Sequence, residues 1–262
     1  MSVKTRLFLI LFLLGMAGIL SFLLVDLSVL LELVPAASRS DIPAITPAFK
    51  ILSLIQPSII LLAAVLIGVT LAPKVGLSAP VAESLATGGR WFPALRPQVV
   101  PGLLGGLIGG LCIVVSSAVF KPFIAPQAVE RIERFTGLVP IPTRLLYGGI
   151  TEELLLRWGF MTLVVWIVWR VLQKRSLKPA TLCFVLAILI SSFIFAVGHL
   201  PIASLVVGEL TVAVTLFVVI ANSAFGLVAG YLYWKHGLEA AIIAHMLGHV
   251  VLAVASYAGA YF

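Results

Sequence analysis

Residues 7–25 contain no charged side chain. As a helix rising about 1.5 Å per residue, such a run crosses the roughly 30 Å hydrocarbon core of a bilayer. Similar runs recur to the end of the chain. In lipid every backbone polar group must be paired internally, which leaves helices or closed barrels. A barrel would alternate apolar and polar positions over segments of about ten residues, whereas these runs are continuous. The sequence therefore predicts an all-α fold, a polytopic transmembrane helical bundle. Only 10% of the 262 residues are charged, against about one quarter in soluble domains. The net charge of +7 is spread over loops and chain ends, as lipid-surface anchoring requires. No basic stripe suited to nucleic acid is present.

The spans fall at about 7–25, 51–72, 99–120, 145–169, 180–200 and 238–260, within a single membrane domain 1–262. The first is read as retained, because a signal peptide's apolar core runs only about 7–15 residues. Residues 35–49, with Pro35, Pro43 and Pro47, read as a loop. Residues 73–98 read as an interfacial segment with one short helix, and Ala128–Phe135 as a short amphipathic helix at the membrane surface. Gly102, Gly105, Gly106, Gly109 and Gly110 sit at the three- and four-residue spacing that lets helices approach closely in lipid. Cys112 and Cys183 stand singly in apolar runs and read as packing residues.

Residues 205–234 cross either once or twice, giving seven or about eight spans. Two crossings bring the last helix in from the side on which Glu152 and His199 lie, so eight is the expected number. With Lys4 and Arg6 inside, eight spans place nine Lys and Arg on that side and seven on the other, a weak bias.

Against this apolar background stands Thr151-Glu152-Glu153-Leu154-Leu155-Leu156-Arg157. An ionised group at membrane depth costs roughly 2.5–3.5 kcal/mol on insertion scales, so it is normally paired or lines a cavity. Glu153 and Arg157 are four apart with the acid first, the favourable order for an intrahelical pair. Glu152, about 100° round the helix, is the carboxylate left over. Three of the four histidines, His199, His245 and His249, also lie in apolar spans. A carboxylate and an imidazole sharing one water can generate a nucleophile. His245 and His249, one turn apart, can donate to a developing oxyanion. Pro201 is expected to end the helix at His199. Peptide-bond hydrolysis within the membrane follows as the leading expectation, with catalytic candidates Glu152, His199, His245 and His249 supported by Glu153 and Arg157.

These residues, Glu152-Glu153-xxx-Arg157, Phe195-xxx-His199, and His245 following Tyr233-Trp234-Lys235-His236-Gly237, resemble the CAAX prenyl endopeptidase and bacteriocin-processing (CPBP, or Abi) family over roughly 140–255. The resemblance implies an eight-helix intramembrane glutamate protease fold in a bacterial plasma membrane, with the motif core at 145–255. It implies that Glu152 activates water with His199, that His245 is the first oxyanion-hole residue, and that Glu153 with Arg157 stabilises the site. The expected partners are the lipid bilayer and a membrane-embedded or lipidated peptide substrate, with no nucleic acid.

His249 stands where that family usually has Asn or Asp. No cofactor is expected. The alternative is zinc, since His245 and His249 at i, i+4 with a nearby Glu also make a plausible triad, although Met246 fills the Glu position of the usual His-Glu-xx-His motif. Two other functions fit less well. One is a non-catalytic membrane scaffold or immunity protein of the same fold. The other is a proton-coupled transporter, against which the sequence shows no paired halves.

Overall fold

The computed structural model describes residues 1–28, 31, 46–173 and 177–261. Most of the expected 35–49 loop, and Lys174 and Arg175 of the basic loop, lie outside the described residues. Among those described there is no strand. The helices are α1 (Val3–Leu20), α2 (Pro47–Leu52), α3 (Ile55–Val75), α4 (Pro80–Ala86), α5 (Trp91–Phe120) and α6 (Pro126–Leu138), then the composite α7 (Ile141–Leu172). After it come α8 (Thr181–Gly198), α9 (Leu200–Val207), α10 (Val212–His236) and α11 (Leu238–Tyr257).

Seven helical stretches among the described residues are long and apolar enough to cross a membrane. The chain is an integral, multi-pass membrane protein. Residues 205–234 contribute one crossing, α10, and not two. Asn222 and Ser223 lie within α10, where Asn222 Nδ2 donates to Val218 O of the same helix at 2.8 Å. His245 therefore enters from the face opposite to the one the eight-span argument required. It still meets Glu152, because both lie well inside the bundle.

Helix ends follow local chemistry. α3 runs through Pro73 to Val75 and stops at Gly76, whose φ of 78° supplies the left-handed turn. α5 begins at Trp91, inside the segment expected to be interfacial, and accommodates Pro97 and Pro101. His199 caps α8, and Pro201 lies in the first turn of α9, where a missing N–H costs nothing.

The glycines of α5 seat two neighbours. A Cβ at Gly106 would come within 2.7 Å of Leu247 on α11, and one at Gly109 within 2.6 Å of Phe225 on α10. α6 turns Val129, Ile132 and Phe135 onto α9 and α10. It leaves Glu133 outside, in an ion pair with Lys121 at 3.1 Å, as an amphipathic surface helix should.

Candidate active site

α7 carries the acids, and it is not a regular α-helix. Residues Arg144–Glu152 and Leu154–Met161 take wider π-helical turns, which are rare and concentrate at functional sites. Two hydroxyls reach carbonyls five residues back. Thr151 Oγ1 contacts Leu146 O at 3.4 Å and donates to Gly15 O of α1 at 2.8 Å. Thr162 Oγ1 donates to Arg157 O at 3.2 Å and lies 2.8 Å from the Tyr233 hydroxyl. α1 approaches closely enough for this because Gly18 has no side chain. A Cβ there would collide with Thr151 Oγ1 and Leu146 O.

The two acids end in different surroundings. Glu153 is fully buried; its Oε2 pairs with Arg157 Nε at 3.3 Å, and its Oε1 meets His245 Nδ1 at 2.7 Å. Arg157 is equally buried, donates from Nη2 to Gly226 O at 3.2 Å, and lies over the Phe195 ring at 5.2 Å. Burial of a charge is tolerable only with such partners. Glu152 keeps 20% of its side chain accessible, and its Oε2 stands 3.9 Å from His245 Nε2. That separation is beyond direct hydrogen bonding. Glu152 thus remains the acid without a committed partner, and it lies within electrostatic range of both His199 and His245.

The histidines are fixed by what they touch. His199 Nδ1 lies 2.8 Å from Phe195 O. A carbonyl only accepts, so Nδ1 carries the proton and Nε2 is left with its lone pair. Phe195 packs edge-on against His199 and His245, with ring centroids at 4.7 and 5.9 Å. Phe195 thus packs beneath the two imidazoles. His245 is buried between Phe225, at 4.6 Å, and His249, whose ring stacks on it at 5.0 Å and 16°. His249 Nε2 abuts Gly148, where a Cβ would collide with it, and it has no hydrogen-bond partner.

The structure therefore gathers Glu152, Glu153, Arg157, His199, His245 and His249 from α7, the α8–α9 corner and α11. One contact was not legible beforehand. Glu153, expected to pair with Arg157 alone, also holds His245 across 92 positions of sequence. The rings of His245 and His249 are nearly parallel, and His245 Nδ1 is engaged by Glu153 Oε1. Among the described residues no three His, Cys, Asp or Glu side chains are grouped to hold a metal ion.

Comparison with known proteins bears on the same residues. Residues 134–251 match the family model of Rce1-like proteins, described as type II CAAX prenyl endopeptidase Rce1-like. Neither curated proteins nor solved structures give a match. The matched segment contains every candidate site residue, while α1, α3 and α5 lie outside it. The family is one of membrane proteases, and the match agrees with the CPBP likeness of the motifs. Residues 134–251, somewhat under half of the chain, are thus similar to the Rce1-like type II CAAX prenyl endopeptidases.

Proposed function

We propose that this chain is a metal-independent intramembrane endopeptidase that cleaves a membrane-associated or lipidated polypeptide. The observation that carries the reading is the partly accessible Glu152 between two imidazoles, above a fully buried Glu153–Arg157 pair. Glu152 takes a proton from a water that His199 Nε2 also holds, and the resulting hydroxide attacks the scissile carbonyl carbon. The carbonyl oxygen becomes the oxyanion. Collapse breaks the C–N bond as Glu152 returns its proton to the leaving amine, giving an acid and an amine.

His245 faces the oxyanion. Glu153 is acceptor-only when ionised, so Nδ1 of His245 is protonated, and donation from Nε2 as well requires the imidazolium form. That cation is flanked by carboxylates at 2.7 and 3.9 Å. His249 Nε2, buried without a partner in the resting site, is the second donor. A buried orphan costs about 1–3 kcal/mol, which a tetrahedral oxyanion relieves in the transition state only, as catalysis demands.

The test is a proteolysis assay of purified protein in excess chelator, with one prenylated and one unmodified apolar peptide. Cleavage that survives chelation and vanishes in Glu152→Ala supports the reading. Loss of cleavage on chelation, restored by zinc, returns the site to the metal alternative. Cleavage of neither peptide by a folded protein supports a non-catalytic role.

A further inference from the structure

α10 carries a polar residue at membrane depth that has no role in the hydrolysis proposed for Glu152 and His199. Asn222 stands near the middle of the helix, where its Nδ2 donates to Val218 O one turn back. That bond takes one of two N–H groups. The amide keeps a second N–H and a carbonyl oxygen, and among the described residues neither has a hydrogen-bond partner.

Helical geometry fixes the direction in which Asn222 points. At about 100° per residue it falls between Phe225 and Gly226, about 60° from the first and about 40° from the second. Phe225 packs on His245 with ring centroids at 4.6 Å, and Gly226 O accepts from Arg157 Nη2 at 3.2 Å. The exposed apolar side of α10 bears Leu216, Ile220, Leu227 and Tyr231, about 120–180° away from Asn222. Asn222 therefore faces the interior of the bundle. It is still only half-buried there, so it borders an internal cleft and not the lipid.

The packing register gives its depth. α10 runs antiparallel to α8, because Gly226 lies on Ser192 and Gly230 on Ile188. One more step of four along each helix sets Asn222 beside Ala196, one turn before His199. α10 is antiparallel to α11 as well. Along α5, Gly105 and Gly109 meet Leu232 and then Phe225, whereas Gly102 and Gly110 meet Ile243 and then Val251. One turn beyond Phe225, Asn222 thus reaches the level of His249. A fourth element joins the cleft formed by α7, the α8–α9 corner and α11.

A polar group taken out of water is costly unless it is hydrogen-bonded. The complement of a free N–H and a free carbonyl is a peptide unit, which carries the same two groups. In an extended chain one residue presents its N–H and its C=O to the same side, so a single side-chain amide can meet both.

We infer that Asn222 binds the main chain of the polypeptide in the cleft, its Oδ1 accepting the N–H of one residue beside the scissile bond and its remaining N–H donating to that residue's C=O. Such a contact reads backbone and not side chains, and it holds an extended strand in register with Glu152. The inference rests on the hydrolase reading for the word scissile, whereas the contact to a bound peptide stands on the placement of Asn222.

The test removes the peptide's half of the contact and then the protein's half. The unmodified apolar peptide is prepared with single ester linkages in place of successive amides, each deleting one N–H. Kd is measured by fluorescence anisotropy on Glu152→Gln protein, which leaves the peptide uncut. One ester should weaken binding about tenfold, the worth of one good hydrogen bond. With Asn222→Ala added, the same ester should cost nothing, and with Asn222→Asp, which keeps the acceptor, the penalty should return. Asn222→Leu, apolar and nearly isosteric, replaces the alanine variant should that one not fold. An ester penalty unchanged by Asn222→Ala overturns the proposal, as do esters that all bind like the parent peptide or a parent peptide that does not bind. The expected pattern of binding without cleavage by the unaltered protein overturns hydrolysis and leaves the Asn222 contact standing.

Discussion

The two sides of one turn of α7 differ in almost every physical respect. On one side Glu153 and Arg157 are sealed from solvent, ion-paired at 3.3 Å and tied to a third element through His245. On the other, Glu152 keeps part of its carboxylate accessible and makes no bond to its nearest imidazole, 3.9 Å away. The buried side is held by the Glu153–Arg157 ion pair and by contacts to His245 and Gly226, while Glu153 Oε2, Arg157 Nε and Arg157 Nη1 make no hydrogen bond. The other side has an acid, a lone pair on His199 and an unpartnered nitrogen on His249. On the proposed reading, stability belongs to the first carboxylate and chemistry to the second, although a single peptide bond separates them.

Substitutions sharpen that division. Glu152→Gln keeps the shape of the partly accessible side chain and removes the base. Peptide cleavage should fall about 10²–10⁴-fold, the range of a general base, with the unfolding midpoint of the purified protein unmoved. A parallel drop in midpoint would break the division.

Glu153→Ala strands Arg157 and His245 in the dry interior. Breaking a buried pair from one side costs about 3–5 kcal/mol, so thermal unfolding in detergent should show a large destabilisation before any kinetic effect is measured. Glu153→Leu with Arg157→Met, which removes both charges, should recover much of it.

For His249→Phe the ring stack survives and the donor is lost. Removing one oxyanion donor costs about 10²–10³ in kcat, and His249→Asn, which can still donate, should recover most of it. Equal rates for the two variants would assign His249 to packing alone. The smallest effect is expected of Thr151→Val. It removes the hydroxyl joining α7 to Gly15 and should cost about 1 kcal/mol of stability, with Thr151→Ser restoring it.

The sequence displays this architecture unevenly, for physical reasons. Apolar runs reveal spans because lipid forbids charge over that length, and the acid-first spacing of Glu153 and Arg157 marks Glu152 as the spare carboxylate. Residues 205–234 misled because depth was reckoned from one membrane face. In a bundle this thick, a residue two turns in from one side can meet one three turns in from the other. The Glu153–His245 contact joins positions 92 apart, which no local periodicity reports. The π-helical turns of α7 coincide with hydroxyl contacts of Thr151 and Thr162, and their residue pattern reads as an ordinary helix.

The division between the two acids is tested most directly by a membrane-permeant carbodiimide, which couples to accessible carboxyl groups, followed by mass spectrometry of the modified positions. The account predicts that Glu152 is modified while Glu153 is not, and that peptide cleavage is lost in step with Glu152 modification. Modification of Glu153 ahead of Glu152, or full activity with Glu152 blocked, would contradict it.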